Sequence, residues 1–364
     1  MLTILAAAIP SADPLPLPAP PWFLWSLLTL TFALHLIAMN FVLGGSVIAA
    51  VARLRGGDDD VRLARWLGKL MPTMVATTIT FGVAPLLFVQ TLYGRLFFTS
   101  SVLMAWFWWA VVPVLIIAYY GTYLLAFRGE RLGRGAAWVA SGVALLFAGV
   151  AFVYTNNMTL MLRADRFLSM YLEDARGVHL NLSDPTLIPR FLHMFLGALA
   201  VAGLIVAVYG LAMRRSDETH GLWAVRRGAQ WFLVTTMLSI VAGIWWLAAL
   251  PRDILLRFMS GAAAVWLTVG AVAGFVALLL MVLAAREPEP RKFVNGSVAA
   301  IAVTLVAMIL SRDEVRRGVL AQISFQPTVW IEPQWGVISI FLVLLVAAAA
   351  TTIWMATLLL KPRV

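Results

Sequence analysis

An all-α, polytopic membrane bundle is the fold class this sequence predicts, on three observations. Hydrophobic residues make up 62% of the 364 and charged residues only 12%, with a mean hydropathy of +0.92; a soluble domain carries roughly 25% charged residues. The apolar residues gather into runs of the length a spanning helix needs, about 20 residues. None of these runs has the short alternating pattern of a membrane barrel, and an open sheet cannot satisfy its edges in lipid.

Nine spans follow in order: 23–52, 71–93, 102–127, 135–157, 189–213, 229–250, 259–284, 294–311 and 335–360. They form one membrane domain, 23–364, with no internal repeat of the kind that marks inverted-repeat transporters. Residues 1–22 precede it. Their stretch IPSADPLPLPAPPWF lacks the basic start of a cleaved signal peptide. Its prolines favour a stiff extended strap on the outer surface, with Trp22 and Trp25 marking the interface.

The basic residues set the orientation. One set of loops holds 17 of the 27 Lys and Arg, including Arg53 to Lys69, Arg128 to Arg134, Arg214 to Arg227 and Arg286 to Lys292. That set is expected to be cytoplasmic, which puts the N-terminus outside and the C-terminus inside. The net charge of +10 is thereby explained by topology, and no nucleic-acid partner is expected. With no cysteine in the chain, disulfides, thiolate metal sites and covalent c-type haem attachment are excluded.

Within the spans as drawn, the titratable groups expected at depth are His35, in TFALHLIAMNFVLGG, and His193. Ion-coupled carriers and proton pathways place carboxylates at depth, so a proton-motive carrier or an ion channel is disfavoured. Each histidine has two readings: a hydrogen bond to a neighbouring helix or water, or axial ligation of haem iron by neutral imidazole. Zinc or copper asks for more ligands than two histidines supply. Met259, in PRDILLRFMSG, opens the seventh span from the side where His193 lies, and a thioether can be a second axial ligand. Arg257, two residues earlier, is placed to approach a haem propionate. Packing is the competing role for Met259, one of 15 methionines. His179 and His220 fall in polar loops and are read as solvated.

The ordered pieces FALHLIAMNFVLGGSVIAAV, WLGKLMPTMVATTITFGVAPLLFVQTLYG, SSVLMAWFWWAVVPVLIIAYYGTYLLAFRGERLG, WVASGVALLFAGVAFVYTNN and RFLHMFLGALAVAGLIVAVYGLAMRR resemble subunit I of the cytochrome bd quinol oxidases. The resemblance covers about the first 230 residues well and the remainder loosely. It implies that His35 ligates a high-spin haem b, that His193 and Met259 ligate a low-spin haem b, and that Arg257 matches a family arginine. It also implies quinol as substrate and a heterodimeric partner. Where the family carries acids in its third span, this chain has Ser101 and Trp109, and the eighth-span glutamate is missing from VNGSVAAIAVTLVAMIL. The long quinol loop is reduced to LPRDILLRF.

Three functions fit these features. The first is a haem b subunit, carrying two haems and no chlorin-type haem d, of a respiratory complex in a bacterial inner membrane. It would relay electrons between the quinone pool and an outer-face cytochrome c or iron–sulfur protein, as an oxidoreductase subunit with no catalytic residue of its own. The second is an oxygen-reducing terminal oxidase subunit whose missing acids come from a partner, and the third a haemless scaffold. Arg163, Asp165, Arg166, Glu173 and Asp174 are candidate outer-side contacts, though an amphipathic surface helix explains that loop as well.

Overall fold

The computed structural model describes residues 16–322 and 330–360. Among these residues nine helices are long and apolar enough to cross a membrane, and each overlaps one of the expected spans. The spanning helices are α1 (Pro21–Arg55), α2 (Asp58–Leu103), α3 (Ala105–Arg128), α4 (Gly135–Leu160), α6 (Leu187–Met213), α7 (Glu218–Ala249), α9 (Gly261–Arg286), α10 (Arg291–Gln322) and α11 (Trp335–Leu360); α5 (Phe167–Glu173) and α8 (Arg252–Leu256) are short connectors. The chain is an integral membrane protein.

Antiparallel hairpins make the frame: α1 packs on α2, α6 on α7, α9 on α10 and α3 on α4, while α1 and α6, the first and fifth spans, pack in parallel. Small residues permit the closest of these approaches, as lipid-embedded helices require. On the α6–α7 seam a Cβ at Gly203 would lie 2.7 Å from the Phe232 backbone nitrogen, and one at Gly210 would lie 2.6 Å from that of Val225. Gly44 of α1 meets the Ala198 backbone of α6 in the same way.

Several helices outrun the spans read in the sequence: α2 and α7 start at Asp58 and Glu218 rather than at 71 and 229, and two C-terminal ends differ as well. Helix α2 does not stop at Tyr93; it kinks there, at φ −131°, and continues to Leu103. Leu96, Phe97 and Leu103 extend it by burying against Leu160, Ala164, Phe167 and Met170. At about 1.5 Å per residue its 46 residues exceed the ~30 Å of a bilayer core, so the last turns serve as a platform at one end. Helix α10 likewise passes Ser311, where the sequence turns charged. Asp313 and Glu314 meet Arg317 at 2.7 and 3.6 Å, pairs of the spacing that supports a helix.

Two ends can be named from their residues. The basic end gathers the loops after α1, α3, α6 and α9. The strap end carries residues 16–20, where Leu17 bridges in parallel to Ile331 just before α11. Residues 1–15 of the expected strap lie outside the described residues. Helix α11 is the least buried span.

Candidate functional site

Each membrane histidine lies on the first helix of a hairpin and reaches across to the second. His35 Nδ1 is 3.0 Å from the Thr78 carbonyl oxygen on α2, and His193 Nδ1 is 2.9 Å from the Ser239 carbonyl oxygen on α7. A carbonyl only accepts, so in both rings Nδ1 carries the proton and donates it. Nε2 is then the nitrogen with the lone pair, and no described residue hydrogen-bonds to it.

One local sequence builds both sites: Thr78-Ile79-Thr80-Phe81-Gly82 and Ser239-Ile240-Val241-Ala242-Gly243. In an α-helix the carbonyl of residue i faces the N–H of residue i+4, so the side chain at i+4 borders the oxygen. Glycine there leaves room for an imidazole to enter. A Cβ on Gly82 would stand 2.8 Å from His35 Cε1, and one on Gly243 would stand 2.9 Å from His193 Nδ1. The Ser239 hydroxyl also donates to the His193 carbonyl at 3.1 Å, locking that crossing further. The repeated Ser/Thr-Ile-x-x-Gly was legible, but its meaning depends on which helices pair.

The expectation that these histidines are the titratable groups at depth needs correction. Arg190 stands inside α6, and the longer α10 carries Arg312, Asp313 and Arg316 into the packed strap end, with Arg312 half-buried and the other three buried. The guanidiniums lie over aromatic rings: Arg190 over Trp246, Arg312 over Phe32, and Arg316 over Tyr93. Phe32 in turn stacks near His35, with centroids 6.4 Å apart, and Trp246 lies 6.1 Å from the His193 ring.

Met259 sits in a 3-10 turn, Arg257–Met259, ahead of α9 and is 70% exposed. Its neighbour Phe258 packs in the cluster that includes Trp246, which puts the turn on the His193 side of the molecule. Arg257 faces α10, 3.8 Å from Glu314 and against Gly318. Ser101 accepts from Asn157 at 3.2 Å, while Trp109 is exposed.

His220 is not a solvated loop residue. It lies in α7, 1% exposed, with Nδ1 2.5 Å from Asp59 and Nε2 3.1 Å from the Tyr209 hydroxyl. Asp59, from the start of α2, is distant in sequence, so its polar loop context misled. His179 is partly buried, with Nε2 2.7 Å from the Asp174 carbonyl oxygen. The charges of the loop between α4 and α6 largely satisfy one another: Arg163 binds Asp165 and Asp184, and Arg166 binds Asn181 and Ser183. Burial would raise the Asp184 carboxyl, but donors on Thr186 and Arg163 outweigh it and hold the group below its usual range. Half-buried Asp174 is pulled down to about 2 by its hydrogen bonds from Arg176.

Among the described residues no three His, Cys, Asp or Glu side chains gather as a metal site. The two open imidazoles therefore suit a metal that arrives with most of its ligands, as iron does in a porphyrin, which needs one or two axial donors from protein.

No protein-family model matches the sequence, and no curated protein matches it. Among solved structures, the bd oxidase from Geobacillus thermodenitrificans superposes with a TM-score of 0.72 over 95% of this chain and 98% of that chain, at 11% sequence identity. The chain thus has the helical fold of a bd oxidase chain.

Proposed function

We propose that this chain is the haem b-bearing membrane subunit of a bd-like respiratory complex in the bacterial cytoplasmic membrane, relaying electrons between quinol and a partner redox subunit. The observation that carries this reading is the pair of imidazoles, each with Nδ1–H tied to a helix carbonyl and Nε2 left open. Haem, when bound, supplies the one-electron exchange. The chain's part is to orient the ligands: the Thr78 and Ser239 carbonyls fix tautomer and ring plane and make Nε2 a better donor. Met259, carried on its turn at the His193 side, would be the second protein ligand there. Arg257, paired to Glu314, braces that turn against α10.

The carboxylates of the strap end favour relay over oxygen reduction. Asp313 accepts from Trp25 at 2.8 Å and pairs with Arg317 and Arg316, while Glu314 pairs with Arg257 and Arg317. Both carboxylates already have their donors within the chain. The partners are further membrane subunits and, at the strap end, a cytochrome c or iron–sulfur protein.

The test is a reduced-minus-oxidised spectrum of the full chain purified with its membrane partners. Two b-type species without a red chlorin band are expected. An absence of any b-type band overturns the proposal, and a chlorin band moves the assignment to oxygen reduction.

A further inference from the structure

The strap end holds more buried positive charge than its acids balance. Arg190 reaches only the Met158 carbonyl at 3.3 Å and the Thr159 hydroxyl at 3.2 Å, and its Nε is unpaired. Arg312 lies over Phe32 with its Nε also unpaired, and no described residue hydrogen-bonds to its guanidinium. Arg316 is 3.6 Å from Asp313, a carboxylate already shared with Trp25 and Arg317. Asp184, the other acid that Arg190 feels, has its oxygens taken by Arg163 and Thr186. The three arginines are close enough to repel one another. Guanidiniums withdrawn from water with too few acceptors are costly, and an anion from outside the chain would complete this cluster.

Its position says which anion. Arg190 precedes His193 by three residues on α6, one helical turn towards the strap end. Arg312 covers Phe32, which precedes His35 by three residues on α1, again one turn towards that end. Arg316 stands within electrostatic reach of both. Resting on the haem reading above, we infer that Arg190, Arg312 and Arg316 form one carboxylate-binding cradle shared by the propionates of the two haems. Arg190 serves the His193 site, Arg312 serves the His35 site, and Arg316 bridges them. The guanidinium fork suits carboxylate oxygens, and its positive charge favours the reduced iron.

Redox titration of the full chain in its complex, followed at each b-type species, tests this. Arg312→Gln should lower the midpoint potential of the His35 species, Arg190→Gln that of the His193 species, and Arg316→Gln both, with Arg→Lys variants restoring part of each shift. Unchanged potentials and unchanged haem content in all three Gln variants overturn the cradle while leaving the haem reading intact. Loss of co-purified anionic phospholipid in those variants, with potentials unmoved, assigns the arginines to lipid phosphate and likewise overturns it. Should a Gln variant fail to fold, wild-type apoprotein loaded with haem dimethyl ester gives the answer. Weaker retention than with free haem supports the cradle, and equal retention sinks it. A wild-type complex without any b-type band removes the haem reading and the cradle together.

Discussion

Two buried polar clusters stand at opposite ends of the bundle, and they differ in what they leave unmade. At the basic end, both nitrogens of His220 are engaged, Trp223 stacks on its ring at 5.6 Å, and Trp66 covers Tyr209 at 4.1 Å. Asp217 caps α7 through the His220 backbone N–H and pairs with Arg62 at 2.8 Å. The half-buried arginines there find carboxylates, Arg214 with Glu289 and Arg227 with Asp60. At the strap end, two histidines keep an open nitrogen, and Arg190 and Arg312 find no carboxylate among the described residues. A closed network explains itself as structure; an open one points to something that completes it.

The sharpest way to break this contrast is to remove a ligand. His193→Ala should abolish one b-type species and His35→Ala the other, with helical circular dichroism retained because packing rests on apolar contacts. Retention of the full haem spectrum by either variant would show that its imidazole holds no iron. The next largest effect is expected from Gly82→Ala or Gly243→Ala, whose added methyl collides with the imidazole. Overpacking of this kind costs about 1–3 kcal/mol, and the matching b-type species should shift or drop in occupancy. Met259→Leu should change the potential or spin state of the His193 species without losing its haem, since one axial ligand survives.

The basic end should answer differently. His220→Ala strands the acceptor on Asp59 and the Tyr209 hydroxyl, so thermal stability should fall by about 1–3 kcal/mol with the haem spectrum unmoved. A spectral change there would erase the distinction between the two clusters. The smallest effect concerns Asp217, whose carboxyl is held below its ordinary value first by the His220 backbone N–H and then by Arg62. A depressed folded value means the cap stabilises above the unfolded value of about 3.9 and is lost as pH falls through the lower one. Melting curves taken across that acid range should show the loss, and Asp217→Asn should flatten this part of the dependence.

The spans were legible because burial in lipid writes itself as long apolar runs, and His35 and His193 stood out against those runs. The end of α10 did not, because Arg312, Asp313 and Arg316 have the composition of a loop; only the rings of Phe32, Trp25 and Tyr93 on other helices make the segment buried. His220 was misread for the same reason, its acid partner coming from a helix far away in sequence. Most of the site's specificity resides in Thr78, Gly82, Ser239 and Gly243, which look like ordinary membrane-helix residues until one knows which helix faces them.

The parallel bridge at Leu17 has a consequence for handling the protein. The final helix has few inward-facing residues of its own, Ile338 among them, and two amide protons just ahead of it, on Glu332 and Gln334, bond to the carbonyls of Leu17 and Pro18. The chain's opening residues therefore act as a hasp for its closing segment. A change at positions 17 and 18 is felt some three hundred residues downstream, where α11 begins.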